Sequence, residues 1–349
     1  MTATVLVATS VHWPDDTRIR ERLIRTLDRE FNVVYAAQVP GPSDRAGLVW
    51  VPLAGRRLAR AWRALWIGLT RRWDVMVVHD PDLVPGAMLT RLIRRRPVVF
   101  DLHEDLPATV HTRSTVPKCL RRPLAFMLAR LLKLTERLLT VTLAEPAYQD
   151  LFARQHPCFP NYPDTSAYPD PGGDGSGPAI YLGDVTSQRG VDVALLACSQ
   201  IDVPLMLMGR VAGEFREELT GMSGLGDGLM IEGPVPNREA VTRLATGSVG
   251  LSPLRDLPNY RHSQPTKVLE YLAAGLPVVA SDLPGTRQLV TGLEAVLLVP
   301  PGDVPALAGA IVAARSPEVL RQAIEQAPLV RRQFGWPGDA VLEFYRSLL

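Results

Sequence analysis

Short apolar, β-branched runs recur along the chain, each followed by turn residues and then by a longer segment with helical spacing. No other feature restricts the fold as much. Runs at 5–8, 33–36, 75–78, 98–100 and 138–142 are each followed by such a segment, and the series begins again at 179–182, 204–208, 229–232, 249–251, 278–280 and 295–298. Strands that alternate with helices predict parallel sheets covered on both faces, an α/β chain of doubly wound, Rossmann-like units. The stretch 161–178, rich in Pro, Gly and Asp, cannot continue a helix or a central strand and reads as the linker between two units. The expected division is therefore 1–165 and 166–349, with 338–349 as a closing helix whose packing partner its own pattern does not reveal. Two such sheets imply a cleft outside the carboxyl ends of their strands, so the chemistry belongs in the strand-to-helix loops.

Composition removes several alternatives. The three cysteines, Cys119, Cys158 and Cys198, are widely spaced and form no Cys-x-x-Cys pair, and the six histidines lack a His-x-x-x-His spacing. Neither a disulfide framework nor a metal site is expected. The first residues carry no basic head and no uncharged apolar stretch approaches about 20 residues, so a cytoplasmic protein is expected. Residues 1–165 carry 24 Lys+Arg against 16 Asp+Glu, and residues 166–349 carry 14 against 20. The basic half either faces an anionic acceptor or the inner face of a membrane, or is an ordinary solvated surface. Basic residues are dispersed and no recognition motif is present, so no nucleic-acid partner is expected. Leu58, Trp62, Leu65, Trp66 and Leu69 share one helical face with arginines around it. That is the spacing of a buried core stripe, the reading preferred here, and equally of an interfacial amphipathic helix.

The segment from Ser263 to Ser281 decides the functional reading. Ser263 suits a cap, Pro265 a first turn, and Gly275-x-Pro277 a helix stop before a buried strand. Amides of Thr266 and Lys267 at that helix start favour a diphosphate, and Glu270, a turn further on, suits a ribose diol. Lys267 is one of three lysines amid abundant arginine, and a compact ammonium fits a phosphate in a narrow space. The plain alternative for Glu270 is a solvated helix residue.

These residues resemble family 4 glycosyltransferases of the GT-B fold, in the branch with a Pro-x-Lys-x-x-Glu-Tyr-x-x-x-Gly-x-Pro signature. The resemblance runs in order through Asp16-Thr-Arg-Ile-Arg-Glu21, His79-Asp-Pro-Asp-Leu83, Phe100-Asp-Leu-His-Glu104, Asn161-Tyr-Pro163, Tyr181-Leu-Gly183, Arg189-Gly190, Gly209, Gly233-Pro-Val235 and the 265–277 segment. It implies transfer of a sugar from a UDP- or GDP-linked donor, with retention, to a small-molecule, lipid-linked or glycan acceptor hydroxyl. No cofactor, metal or protein nucleophile is implied.

By the same resemblance Arg189 reaches the donor diphosphate, Gly183 lies beside it, and Gly209, Arg210, Gly233 and Val235 wall the nucleobase. His103 faces the donor sugar near the reacting carbon. Asp101, His103, Glu104 and Asp105 cluster at one strand end, which favours a site there, with Glu104 on the acceptor side. His79, Asp80 and Asp82 end the preceding strand, where carboxylates orient acceptor hydroxyls, unless Asp80 merely caps a helix. Asp16 and Arg18 are acceptor-side or structural. The candidate catalytic set is His103, Arg189, Lys267 and Glu270.

Two departures from the wider pattern stand out. Asp184 follows Gly183 where many relatives place a basic residue, and His262 replaces a second Glu eight residues before Glu270. His262 then falls to the donor sugar, with Asn259, Tyr260 and Arg261 as further contacts. The same departures motivate one rival, a nucleotide-sugar-binding auxiliary subunit without turnover; a second, a nucleotide-sugar epimerase, would reuse such a cleft without an acceptor.

Overall fold

The computed structural model describes residues 2–42, 48–112, 116–171, 175–211, 213–222, 228–235 and 237–349. The chain divides into two units, Met1–Asn161 with Trp336–Leu349, and Tyr162–Gly335.

The first unit is a six-stranded parallel sheet of β1 (Thr4–Ala8), β2 (Asn32–Gln38), β3 (Val49–Leu53), β4 (Val75–Val78), β5 (Val98–Leu102) and β6 (Thr140–Leu143), in the order β3-β2-β1-β4-β5-β6. Its central strands are buried on both faces, which is why they read as unbroken apolar runs rather than alternating ones. β3 is absent from the sequence reading. Pro52 removes a ladder donor there, and β3 is an edge strand, where that loss is tolerated. The run at 138–142 is also corrected: Leu138 ends the helix Lys118–Leu138, and β6 starts at Thr140.

Two layers cover this sheet. Three helices, Arg57–Thr70, Val84–Arg94 and Lys118–Leu138, share one core with Leu6, Met76, Val98 and Phe100. On the other face a π-type turn, Thr17–Ile24, continues helically to Leu27 and packs with the last helix, Gly338–Ser347. Val341, Leu342 and Tyr345 of that helix are buried beside Ile19, Leu23 and Leu27, and Trp336 Nε1 donates to Thr26 Oγ1 at 2.9 Å. The closing helix therefore belongs to the first unit, and 166–349 is not a single unit. The division falls at Asn161/Tyr162 and again at Gly335/Trp336.

The second unit repeats the plan with β7 (Ala179–Leu182), β8 (Leu205–Met208), β9 (Leu229–Gly233), β10 (Val249–Ser252), β11 (Val278–Ser281) and β12 (Val296–Val299), in the order β12-β11-β10-β7-β8-β9. The strands pair in parallel throughout. Counted from its own first strand, this order equals that of the first sheet, so the connectivity reverses at β1/β4 in one unit and at β7/β10 in the other. The stretch expected to be a linker is held on the second unit: Tyr168 is buried in its core, and Arg331 donates to the Pro169 carbonyl at 2.5 Å. Residues 172–174 of that stretch lie outside the described residues.

Candidate functional site

In an open parallel sheet the loops diverge at the reversal point and leave a crevice at the carboxyl ends of the strands. At β7/β10 that position is taken by the loop after β7 and by the helix Thr266–Ala273, which follows β10. Pro265, and not Ser263, occupies the capping position, and no side chain caps the helix. An α-helix cannot satisfy its own first amides, so those of Thr266 and Lys267 face outward as donors.

Tyr271 fixes the helix to the sheet. Its hydroxyl accepts from the Leu182 amide at 2.7 Å and donates to the Leu251 carbonyl at 3.2 Å, joining β7 to β10. Gly250 makes this possible, since a Cβ there would stand 2.2 Å from the Tyr271 ring. Gly275, with φ of 80°, ends the helix as the sequence predicts, and β11 starts at Val278 behind Pro277.

On the β7 side, Gly183 and Arg189 meet Lys267. A Cβ on Gly183 would lie 3.6 Å from Lys267 Nζ and 3.9 Å from Arg189 Nη1, so two cationic groups flank one glycine backbone. Gly190 lets the Arg189 loop close down, because its own Cβ would overlap the Pro253 carbonyl at 1.8 Å. Lys267 Nζ is buried and has no hydrogen-bond partner among the described residues; it rests 3.8 Å from the centre of the Tyr181 ring. Burial, reinforced by the Arg189 charge, holds its pKa well below the ordinary lysine range, against the pull of Glu270 and Asp184. A buried ammonium of this kind is costly, and a nearby anion is what offsets the cost.

The other residues expected on the donor side fall along the same strand ends. Gly209 follows β8, and its close approach to the Gly183 carbonyl leaves 1.9 Å for a Cβ. Arg210 is exposed and lies 3.4 Å from Asp184, which also stands 3.9 Å from Arg189. Gly233, with φ of 69°, ends β9, and Val235 follows it half-buried. His262 is exposed in the loop before the helix, and Gly285 packs against its carbonyl group. Glu270 is buried one turn inside the helix, close enough to Lys267 to bias its charge.

In the first unit the residues at β1/β4 form a tight polar network. Asp80 is buried: its Oδ2 accepts from Thr9 Oγ1 at 2.7 Å, the Ser10 amide at 2.6 Å and the Val11 amide at 3.2 Å, while its Oδ1 lies 2.8 Å from His12 Nδ1. Burial opposes the charge on His12, but the Asp80 hydrogen bond and carboxylate outweigh it and raise the imidazole to about 9. Asp82 accepts from Ser10 Oγ and from Arg57, each at 2.7 Å. Asp16 caps the first helical turn through the amides of Arg18 and Ile19, each at 3.0 Å. These partners position the loops. His12 is the residue the sequence reading missed, because only the Asp80 contact distinguishes it from any loop histidine.

Behind it, Arg18 grips both oxygens of the buried Asp101 at 3.1 and 2.9 Å. His103 Nε2 lies 2.7 Å from Asp101 and 3.1 Å from His79 Nδ1, and Glu104 is exposed beside it. A carboxylate can only accept, so the His103 proton sits on Nε2. Burial lowers the His103 pKa to about 4 despite Asp101, which keeps the ring neutral around pH 7. Among the described residues, His79, Asp101 and His103 are the one set whose ligand atoms lie within metal-binding reach. Arg18 already brings positive charge to both Asp101 oxygens, which disfavours a dication there.

Residues 178–316 match the profile of the family described as glycosyl transferases group 1. A phosphatidyl-myo-inositol mannosyltransferase of Mycobacterium leprae is 26% identical over 266 residues, covering 72% of this chain and 68% of that protein. In fold, the chain is similar to sucrose-phosphate synthase of Thermosynechococcus elongatus, with a TM-score of 0.76 at 18% identity over 99% of this chain and 98% of the other. It is similar too to Anabaena HepE in complex with UDP and glucose, with a TM-score of 0.74 at 15% identity over 100% and 99%. With two parallel sheets of one strand order and a cationic helix start at the second reversal point, the chain is a glycosyltransferase of the GT-B fold whose residues 178–316 match the group 1 glycosyl transferases.

Proposed function

We propose that the protein transfers a sugar, with retention and without a resident metal or cofactor, from a UDP- or GDP-linked donor bound on its second unit to an acceptor hydroxyl bound on its first. The observation that carries this reading is Lys267 Nζ, buried next to Arg189 and a helix start without a hydrogen-bond partner among the described residues. A diphosphate supplies the missing acceptors, and Arg189 and Lys267 together neutralise it. Glu270 accepts from the ribose hydroxyls, as its place one turn inside the helix allows. The solved complexes of Anabaena HepE with UDP, and with UDP-glucose, support a uridine donor. The printed name of the mycobacterial relative, which joins phosphatidyl-myo-inositol to mannosyl transfer, supports a lipid-linked acceptor.

In the proposed reaction the bond between the anomeric carbon and the donor phosphate oxygen breaks, and its electron pair leaves on the diphosphate. The acceptor oxygen bonds to that carbon from the same face, and its proton passes to the departing phosphate oxygen. Arg189, Lys267 and the helix amides stabilise the charge that develops on the leaving group. No side chain need attack the sugar; positioning and charge stabilisation carry the rate.

The test is calorimetric titration with UDP, GDP and their sugars, compared between the parent and Glu270→Ala. The variant is expected to keep its melting point and to bind the preferred nucleotide roughly 10- to 100-fold more weakly, the loss of hydrogen bonds to a charged group. Equal affinity in parent and variant sinks the ribose assignment. The anomeric configuration of the product, read by NMR, decides retention.

A further inference from the structure

The amphipathic helix expected to present a buried stripe does the reverse. Leu58, Trp62 and Trp66 are 83, 68 and 62% exposed, and the residues of the helix Arg57–Thr70 that enter the core are Ala64, Ile67 and Gly68. Small residues face inward because the neighbouring helix Val84–Arg94 comes close: a Cβ on Gly86 would stand 3.3 Å from Leu65, and one on Gly68 would stand 3.2 Å from Thr90. Large side chains are thereby directed to solvent.

The same inversion holds across the whole layer. Val84–Arg94 exposes Leu89, Leu92 and Ile93, and Lys118–Leu138 exposes Leu120, Phe126, Met127 and Leu134. Ten of the large apolar side chains exposed among the described residues lie on these three helices, against three in the entire second unit, so the exposure is local to one face. Burying them elsewhere would be expected if water were their only neighbour.

Charge on this layer has a single sign. The three helices carry eleven Arg and Lys and one acidic residue, Glu136, which is buried and accepts from the Arg154 amide. Arg63, Arg122, Lys133 and Arg137 are exposed, and Arg130 stacks over Phe126 at 4.9 Å. Exposed tryptophans and leucines among arginines, with no exposed carboxylate on any of the three helices, match a surface that is apolar within and anionic at its rim. A protein partner selects for mixed charge and shape, whereas a lipid surface selects only for these two properties.

We propose that this three-helix face of the first unit docks on a bilayer containing anionic lipid, with Trp62 and Trp66 entering the interface and the arginines meeting the headgroups. The inference is independent of which sugar is transferred. Both tryptophans belong to the helix layer on one face of the sheet, and neither is a member of the Asp80 or Asp101 network.

The experiment is flotation of the full chain with vesicles of phosphatidylcholine alone and of phosphatidylcholine with phosphatidylglycerol, at low and high salt. The parent is expected to float with the anionic vesicles, to stay behind with the zwitterionic ones, and to be released by salt. The double variant Trp62→Ser/Trp66→Ser is expected to lose at least tenfold in vesicle binding while its melting point and its nucleotide titration stay those of the parent. Val312→Ser, an exposed apolar position of the second unit, should bind vesicles like the parent. Undiminished flotation of the tryptophan double variant overturns the proposal, as does failure of the parent to float. A concentration-dependent dimer abolished by the same two changes overturns it too, since the face would then be covered by a second copy.

Discussion

At the scale of single residues, the second unit buries the Lys267 ammonium with no hydrogen-bond partner among the described residues. Lys267 forfeits hydration in the free protein, and the depressed pKa of a buried lysine means that the folded state binds fewer protons than the unfolded chain. Two consequences follow from one cause. A diphosphate arriving beside Nζ raises that pKa again, so nucleotide affinity should fall as pH rises toward the ordinary lysine range, as titrations across pH would show. Replacing the ammonium by a thioether of similar length, Lys267→Met, removes the desolvation cost, and the free protein should melt higher while nucleotide affinity falls at least tenfold. A variant that melts lower and binds as well as the parent contradicts both.

His12 makes the opposite statement in the first unit. Its pKa is raised from 6.5 to about 9, so its contribution to stability is fully present below pH 6.5 and is lost as pH rises through about 9. His103, lowered to about 4, acts on the acid side, where stability declines as pH falls from 6.5 toward 4. The first unit is therefore expected to be most stable near pH 6.5. His12→Gln keeps a donor for Asp80 but no charge, and it should cost roughly 2 kcal/mol at pH 6. That difference should shrink toward zero above pH 9, as seen by thermal unfolding followed across pH; a constant difference would mean that charge plays no part.

At the scale of elements, glycines set the geometry that the charged residues use. Gly190 has φ of 73°, and a Cβ there meets the Pro253 carbonyl at 1.8 Å, so Gly190→Ala must move the turn that carries Arg189. We expect a loss of about 1–3 kcal/mol in stability. We also expect a fall in nucleotide affinity larger than that of Gly309→Ala, whose helix position has open space around it. Equal affinities in the two variants would show that the Arg189 turn is not held by this contact.

Elements were also the most legible level of the sequence. All eleven strands read from apolar runs are present, and the twelfth escaped because Pro52 makes an edge strand look like a loop. The helix bearing Lys267 and Glu270 was legible because stop signals, a strand and a phosphate-type start coincide within twenty residues. What was not legible depended on partners distant in sequence. Asp80 reads in one dimension as an acceptor-orienting carboxylate or a helix cap and Asp101 as one of a strand-end cluster, and neither reading shows that Thr9, Ser10 and His12 hold the first or that Arg18 and Thr142 hold the second. Periodicity likewise marks an apolar face without saying whether protein covers it, which is how the Trp62 face came to be read inside out.

At the scale of the whole molecule, chain order and folding order disagree. Residues 336–349 leave the second unit and complete the first, so the first unit is unfinished until they have been made. The closing helix buries Val341, Leu342 and Tyr345, at about 1.5–3 kcal/mol each, and Trp336 adds its bond to Thr26. That sum, on the order of 5 kcal/mol or more, is comparable to the entire stability of an ordinary domain. A chain ended after Gly335 should therefore show a first unit that melts far earlier or not cooperatively at all, while its second unit, whose core is internal to Tyr162–Gly335, keeps its transition. Nucleotide binding should survive the truncation, since Lys267, Arg189 and Glu270 all lie in that unit, whereas sugar transfer should be lost. Calorimetry resolves the two transitions, and a nucleotide should shift only the surviving one. If truncation leaves both transitions in place, the closing helix is a passenger; if it abolishes nucleotide binding, the second unit is not the self-sufficient donor domain proposed.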